Sequence, residues 1–134
     1  MEDIFVARLM SAGVVSVSPE TLVEDAADEL LDREIGSLVV TDEDNHIEGI
    51  LTSTDFVRIV AESKPKAETT VQRYMSDKVV TVGAQDSIRD AADKMLTYGI
   101  HHLPVVDDAE GVIGMLSTTD LTAYLSDVEQ PSPA

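Results

Sequence analysis

The chain repeats itself. Shifted by 65 residues, Val6–Val60 lies on Val71–Leu125 without a gap, and about 20 of the 55 aligned pairs are identical. Val14-Val15 meets Val79-Val80, and Asp25-Ala26-Ala27-Asp28 meets Asp90-Ala91-Ala92-Asp93. Gly49-Ile50-Leu51-Thr52-Ser53-Thr54-Asp55 meets Gly114-Met115-Leu116-Ser117-Thr118-Thr119-Asp120. Two copies are too few for a long solenoid. They suit a closed pair related by a pseudo-two-fold axis, with any site formed in or between the copies. Each copy alone would be marginal at about 55–60 residues, so the two are expected to fold together.

Both copies carry the same order of elements. A short helix, roughly 4–10 and 71–75, precedes a Val-rich extended run at Val14–Val17 and Val79–Val82. A helix then starts near Thr21, where Thr21-x-x-Glu24 has the form of a capping box. Leu22, Val23, Ala26, Ala27, Leu30 and Leu31 recur at helical spacing, as do Ile88, Ala91, Ala92, Met95 and Leu96 in the second copy. The paired alanines predict a face where another element packs closely. Strands follow at Leu38–Thr41 and Ile47–Leu51, around the turn Asp42-Glu43-Asp44-Asn45. Their counterparts are Leu103–Val106 and Val112–Leu116. A last helix spans about 54–62 and 119–126. The fold class is α/β, two tandem β-α-β-β-α repeats. Repeat 1 is assigned to 1–61, a linker with Lys64-Pro65-Lys66 to 62–70, repeat 2 to 71–126 and a fraying tail to 127–134.

The sharpest local feature is Gly-h-h-Ser/Thr-x-x-Asp at the strand-to-helix junction of both copies. Two readings fit it, and both can hold. In the first it is a helix start: Thr52 or Ser117 caps, and the Asp three residues on favours the positive end of the helix. In the second, the free N–H groups of the helix start suit a phosphate, and the carboxylate can accept hydrogen bonds from both hydroxyls of a ribose. Hydroxyls at Thr52, Thr54, Ser117 and Thr119 can add contacts.

Charge narrows the partners. Nine basic residues face 26 acidic ones, for a formal charge of −17. With no basic patch to displace counterions, neither nucleic acid nor an anionic membrane surface is an expected partner. The acid is dispersed and lysine is scarce, which fits adaptation to a very salty cytoplasm; an ordinary acidic cytosolic protein is the other reading. Cysteine is absent, so disulfides and thiolate chemistry are excluded. No apolar run approaches the ~20 residues of a membrane span. The acidic start Met1-Glu2-Asp3-Ile4-Phe5 lacks a signal-peptide core, so a cytoplasmic location is expected.

The repeat unit, its 65-residue period and the two junction motifs resemble cystathionine β-synthase (CBS) domains. So do Ile100-His101-His102-Leu103-Pro104-Val105-Val106-Asp107 and Val71-Gln72-Arg73-Tyr74-Met75-Ser76. The resemblance covers about Val6 to Leu125 and implies a stand-alone CBS pair, or Bateman module. It further implies two clefts between the repeats that hold adenosine-containing ligands. Asp55 and Asp120 would take the ribose, with Thr52, Thr54, Ser117 and Thr119 beside them. Ser16 and Thr81 would reach the base from the extended segment, and His101, His102 and Pro104 would flank base or phosphate.

The copies differ where His101-His102-Leu103-Pro104 aligns with Gly36-Ser37-Leu38-Val39. They differ again where Arg58, three residues after Asp55 and itself expected to contact the ligand, aligns with Ala123. The two clefts are therefore expected to be unequal, with the second repeat building the main site. No metal site is expected, since His46 is the one other imidazole. No catalytic constellation, cofactor or phosphate-gripping Gly-rich loop is visible, so the chain is not expected to be an enzyme. A regulatory module sensing AMP, ATP or a related adenosyl compound is the leading function; a scaffold module with vestigial clefts is the alternative. The output would go through an unknown regulated protein or through oligomer state, and a homodimer is expected. Tyr74, Tyr98 and Tyr124 are expected to be half-buried packing residues.

Overall fold

The computed structural model describes residues 4–62 and 69–129. Lys64-Pro65-Lys66 and the end of the tail, 130–134, lie outside the described residues. The elements run α1 (Val6–Leu9), β1 (Ser16–Val17), α2 (Val23–Arg33), β2 (Ser37–Thr41), β3 (Ile47–Thr52), α3 (Ser53–Glu62), α4 (Val71–Tyr74), α5 (Ile88–Tyr98), β4 (His102–Asp107), β5 (Gly111–Ser117) and α6 (Thr118–Glu129). α6 runs three residues past the expected helix end, so the proposed tail begins as helix.

The chain folds as two compact units, and they are not the two repeats. One comprises Val14–Val79 with Glu110–Val112; the other comprises Met1–Gly13, Val80–Ala109 and Ile113–Ala134. Each repeat's short first helix belongs to the unit built by the other repeat. In the unit built on repeat 1, α4 is tied in by Val71 N–H donating to the Thr21 carbonyl at 2.8 Å. Ile50 and Ser76 there exchange backbone bonds at 3.0 and 2.9 Å. In the other unit, α1 is tied in by Val6 N–H donating to the Asp86 carbonyl at 2.9 Å. Ser11 and Met115 exchange bonds, both at 2.9 Å.

In the unit built on repeat 1, β1 lies parallel to β2, and β2 antiparallel to β3, with a bulge between Val40 and Thr41. The core gathers Val23, Ala26, Leu30, Leu38, Val40, Leu51, Ile59, Val71 and Tyr74. In the other unit β4 and β5 form a two-stranded sheet. The core there gathers Val6, Val82, Ala91, Met95, Leu103, Val105 and Leu116. Ala26 and Ala91 are fully buried, as the paired alanines predicted.

Several expectations are corrected. The run Val79–Val82 forms no named strand and meets β4 only through a single parallel bridge, Val82 to Val105. The first copy adds a bond from Val39 N–H to the Val15 carbonyl at 3.3 Å. Its counterpart would need an N–H at Pro104, which proline lacks. The Thr21 capping box does not form: α2 begins at Val23 with Leu22 at its cap, and the Thr21 hydroxyl accepts from Ser18 N–H at 3.2 Å. The apolar stripes are narrower than expected, since Leu31 is 75% and Leu96 82% exposed. Each follows a buried residue, Leu30 or Met95, and one helical step of about 100° turns it away from the core. Tyr74 is buried and Tyr98 is 60% exposed, so neither is half-buried.

Candidate functional site

The two junction motifs are the same local device. At the β3–α3 junction, Asp55 Oδ2 accepts Thr52 N–H at 2.8 Å and the Thr52 hydroxyl at 3.2 Å. At the β5–α6 junction, Asp120 Oδ2 accepts Ser117 N–H at 2.8 Å and the Ser117 hydroxyl at 3.0 Å, while Asp120 N–H donates back to Ser117 Oγ at 3.1 Å. Each Asp thus caps its own helix with one oxygen. The helix-start reading holds in full at the second junction, where Ser117 Oγ accepts a helix N–H; at the first, among the described residues, Thr52 only donates to Asp55.

The motif glycines have a separate cause. A Cβ on Gly49 would come 2.6 Å from the Met75 sulfur, and one on Gly114 would come 2.6 Å from the Met10 sulfur. Each methionine arrives on an exchanged helix end and lies on the strand leading to the junction. Met10 and Met75 are therefore packing residues, and they fix the glycines of the motif.

The second oxygen of each carboxylate separates the copies. Asp55 Oδ1 faces the Arg58 guanidinium at 3.4 Å. Position 123 is alanine, and among the described residues no protein donor reaches Asp120 Oδ1. Asp55 is buried, whereas Asp120 is half-buried.

Beyond the motif itself, His101 and His102 are the candidates brought toward Asp120, and the rest of the second copy's candidates stand elsewhere in the same unit. Thr118 N–H donates to the His101 carbonyl at 2.9 Å, which pins the segment before β4 to the start of α6. His102 is half-buried and held below its ordinary 6.5; burial is the main cause, the neighbouring His101 adds to it, and the Asp120 charge opposes it. His101 and Thr119 are exposed. Pro104 is fully buried in β4, on the opposite face of the strand from the core residues Leu103 and Val105, and its carbonyl accepts Val82 N–H at 3.0 Å. Thr81 is half-buried, and its carbonyl accepts Lys94 Nζ at 2.8 Å. Reasoning from sequence misses Lys94. The signal available is a break in the repeat, with Glu29 at the matching position of the first copy.

In the first copy the Gly36 carbonyl plays the part of His101, accepting Ser53 N–H at 3.1 Å. Thr54 is exposed beside Asp55. Ser16 is exposed on β1, which pairs with β2 on the side away from β3.

Among the described residues, one group has metal-ligand spacing: Asp42, Asp44 and His46 in the β2–β3 turn, with ligand atoms within 4.8 Å of one another. It has a simpler cause. Asp42 Oδ1 accepts the N–H groups of Asp44 and His46, both at 2.9 Å, which shapes the turn. The bond from His46 is the main reason its carboxyl sits below the usual range.

His102 gives a pH test. Its folded pKa is lowered, so the unfolded chain takes up the proton more readily. Its contribution to stability is complete above pH 6.5 and falls as pH drops below that value. Melting temperature is expected to fall less steeply in His102→Gln than in the wild type as pH drops from about 7 to about 5. Parallel curves would show that His102 titrates as an ordinary surface imidazole.

Two exchanged helices, two hairpins and a carboxylate at each helix start define a tandem α/β module with a duplicated junction site. The family model described as CBS domain matches residues 6–62 and 71–127, and the chain belongs to that family. It is 34% identical over 123 residues to an uncharacterized 17.7 kDa protein of Acidianus ambivalens, covering 92% of this chain and 74% of that one. It is 32% identical over 125 residues to a homoserine O-acetyltransferase of Methanosalsum zhilinae, covering 93% of this chain but 25% of the enzyme. Among solved structures it is similar to the CBS domain pair of protein MJ0100 in complex with 5′-methylthioadenosine and S-adenosyl-L-methionine. The TM-score there is 0.88 at 25% identity, over 96% of this chain and all of that one.

Proposed function

We propose that this chain is a regulatory module that senses an adenosine-containing ligand, held mainly at the β5–α6 junction. Asp120 carries the reading. One oxygen is fixed by the helix start, the other meets no protein donor among the described residues, and hydroxyls and a largely neutral imidazole stand beside it. A carboxylate so placed accepts a ribose diol without reorganising. The ligands bound by the similar MJ0100 pair support an adenosine compound.

Charge favours a ligand without phosphate, such as 5′-methylthioadenosine or S-adenosylmethionine, over AMP or ATP. The formal charge is −17, Lys94 is engaged by the Thr81 carbonyl, and Arg58 faces Asp55. The module acts on a regulated protein and not as an enzyme, within a cytoplasm. No helix among the described residues is long and apolar enough to cross a membrane. Equilibrium dialysis against 5′-methylthioadenosine, S-adenosylmethionine, AMP and ATP tests this. If none binds below about millimolar concentration, the scaffold reading replaces it.

Exposed apolar side chains support a homodimer. Leu31, Val57 and Val60 on α2 and α3, and Leu96 and Leu125 on α5 and α6, all face solvent in the single chain. Closed two-fold dimers are the commonest soluble oligomers. Light scattering should return about twice the 14.5 kDa chain mass; a monomer across a wide concentration range would refute this.

Salt gives a separate test of the acidic surface. Screening at ~1 M salt cuts the Debye length to ~3 Å and removes long-range repulsion. Melting temperature, and affinity for the phosphate-bearing ligands in particular, should rise between about 0.05 and about 2 M KCl. A flat melting temperature would mean that the acidity is ordinary surface chemistry.

A further inference from the structure

We propose that Arg58 is an internal competitor at the first junction: its guanidinium contends with a ribose diol for Asp55, leaving the second junction as the one that takes ligand uncontested. This rests on the adenosine reading above.

The contrast is internal to the chain. Both junctions use Oδ2 in the same way, with N–H donors at 2.8 Å and hydroxyls at 3.2 and 3.0 Å. They differ at the other oxygen, where Arg58 Nη2 stands 3.4 Å from Asp55 Oδ1 and the second copy has Ala123. A diol that binds Asp55 Oδ1 must share that oxygen with the guanidinium or draw it aside. The Arg58 side chain is 57% exposed, so it is free to leave. The pair is therefore a modest competitor and not a permanent plug. With its cation largely in solvent, an ion pair of this kind corresponds to about a fivefold change in an equilibrium. It also weakens as salt screens it. The duplicated junction thus has two affinities, set by one helix position, which is Arg58 in the first copy and Ala123 in the second.

Titration calorimetry with 5′-methylthioadenosine tests this, because the ligand has no phosphate to draw Arg58 away. In an Asp120→Ala background, which isolates the first junction, adding Arg58→Ala should tighten binding by about two- to fivefold at low salt. That gain should shrink toward nothing at about 2 M KCl. The reciprocal variant places Ala123→Arg in an Asp55→Ala background and should weaken the second junction by a similar factor. Ala123 is exposed on α6, so the substitution leaves the core intact. Unchanged or weaker binding on removing Arg58, or no loss of affinity on introducing Ala123→Arg, overturns the proposal while leaving the adenosine reading in place. No binding to the wild type overturns both.

Discussion

Replacing Asp120 with alanine should weaken the binding of 5′-methylthioadenosine by roughly tenfold to over a hundredfold. The lost interaction is a hydrogen bond to an ionised acceptor, worth about 1.5–3 kcal/mol. The same carboxylate also caps α6 through Ser117, so the variant should melt lower, by the equivalent of about 1 kcal/mol. Asp120→Asn separates the roles, because its amide oxygen can still accept from the helix start while the charge is gone. An alanine variant that binds as tightly as wild type would remove Asp120 from the site.

The largest expected loss of stability comes from Gly111→Ala. Gly111 has φ +79°, and an added Cβ would overlap the Asn45 carbonyl oxygen. That carbonyl accepts Val112 N–H at 3.1 Å, while Asn45 Nδ2 donates to the Glu110 and Val112 carbonyls, both at 2.8 Å. Asn45 is itself left-handed, at φ 66°. A side chain at 111 must therefore strain its own backbone and push apart a set of close polar contacts. The cost should be on the order of 3 kcal/mol. For a chain of this size that lowers the melting temperature by about 10 °C. A shift of under about 1 °C would show that the Asn45 contacts are easily remade.

Much of the fold is visible in the sequence because it is local. Short Val- and Ile-rich runs around polar turns locate the hairpins, helical spacing locates the long helices, and the duplicated Asp marks both junctions. What the sequence hides is long-range or competitive. Nothing in the spacing of Val6 says that its N–H will meet Asp86. The Thr21 box fails because a nearer turn at Ser18 takes the hydroxyl. The difference between Arg58 and Ala123 is legible; the guanidinium on Asp55 is not, since contact depends on side-chain direction. Gly49 and Gly114 look like part of a ligand motif. Their partners Met75 and Met10 are also duplicated, which is the clue to the packing that fixes them.

The exchange of short helices bears on how such a chain could arise. A lone copy of this repeat would have its first helix suited to a unit other than its own. Its natural complement would be a second identical chain, each lending the other a helix. Joining two such genes head to tail would turn that loan between molecules into one within a molecule. Once covalently joined, the copies would no longer have to be identical. One could gain an arginine beside its carboxylate and the other a pair of histidines, with the shared architecture preserved.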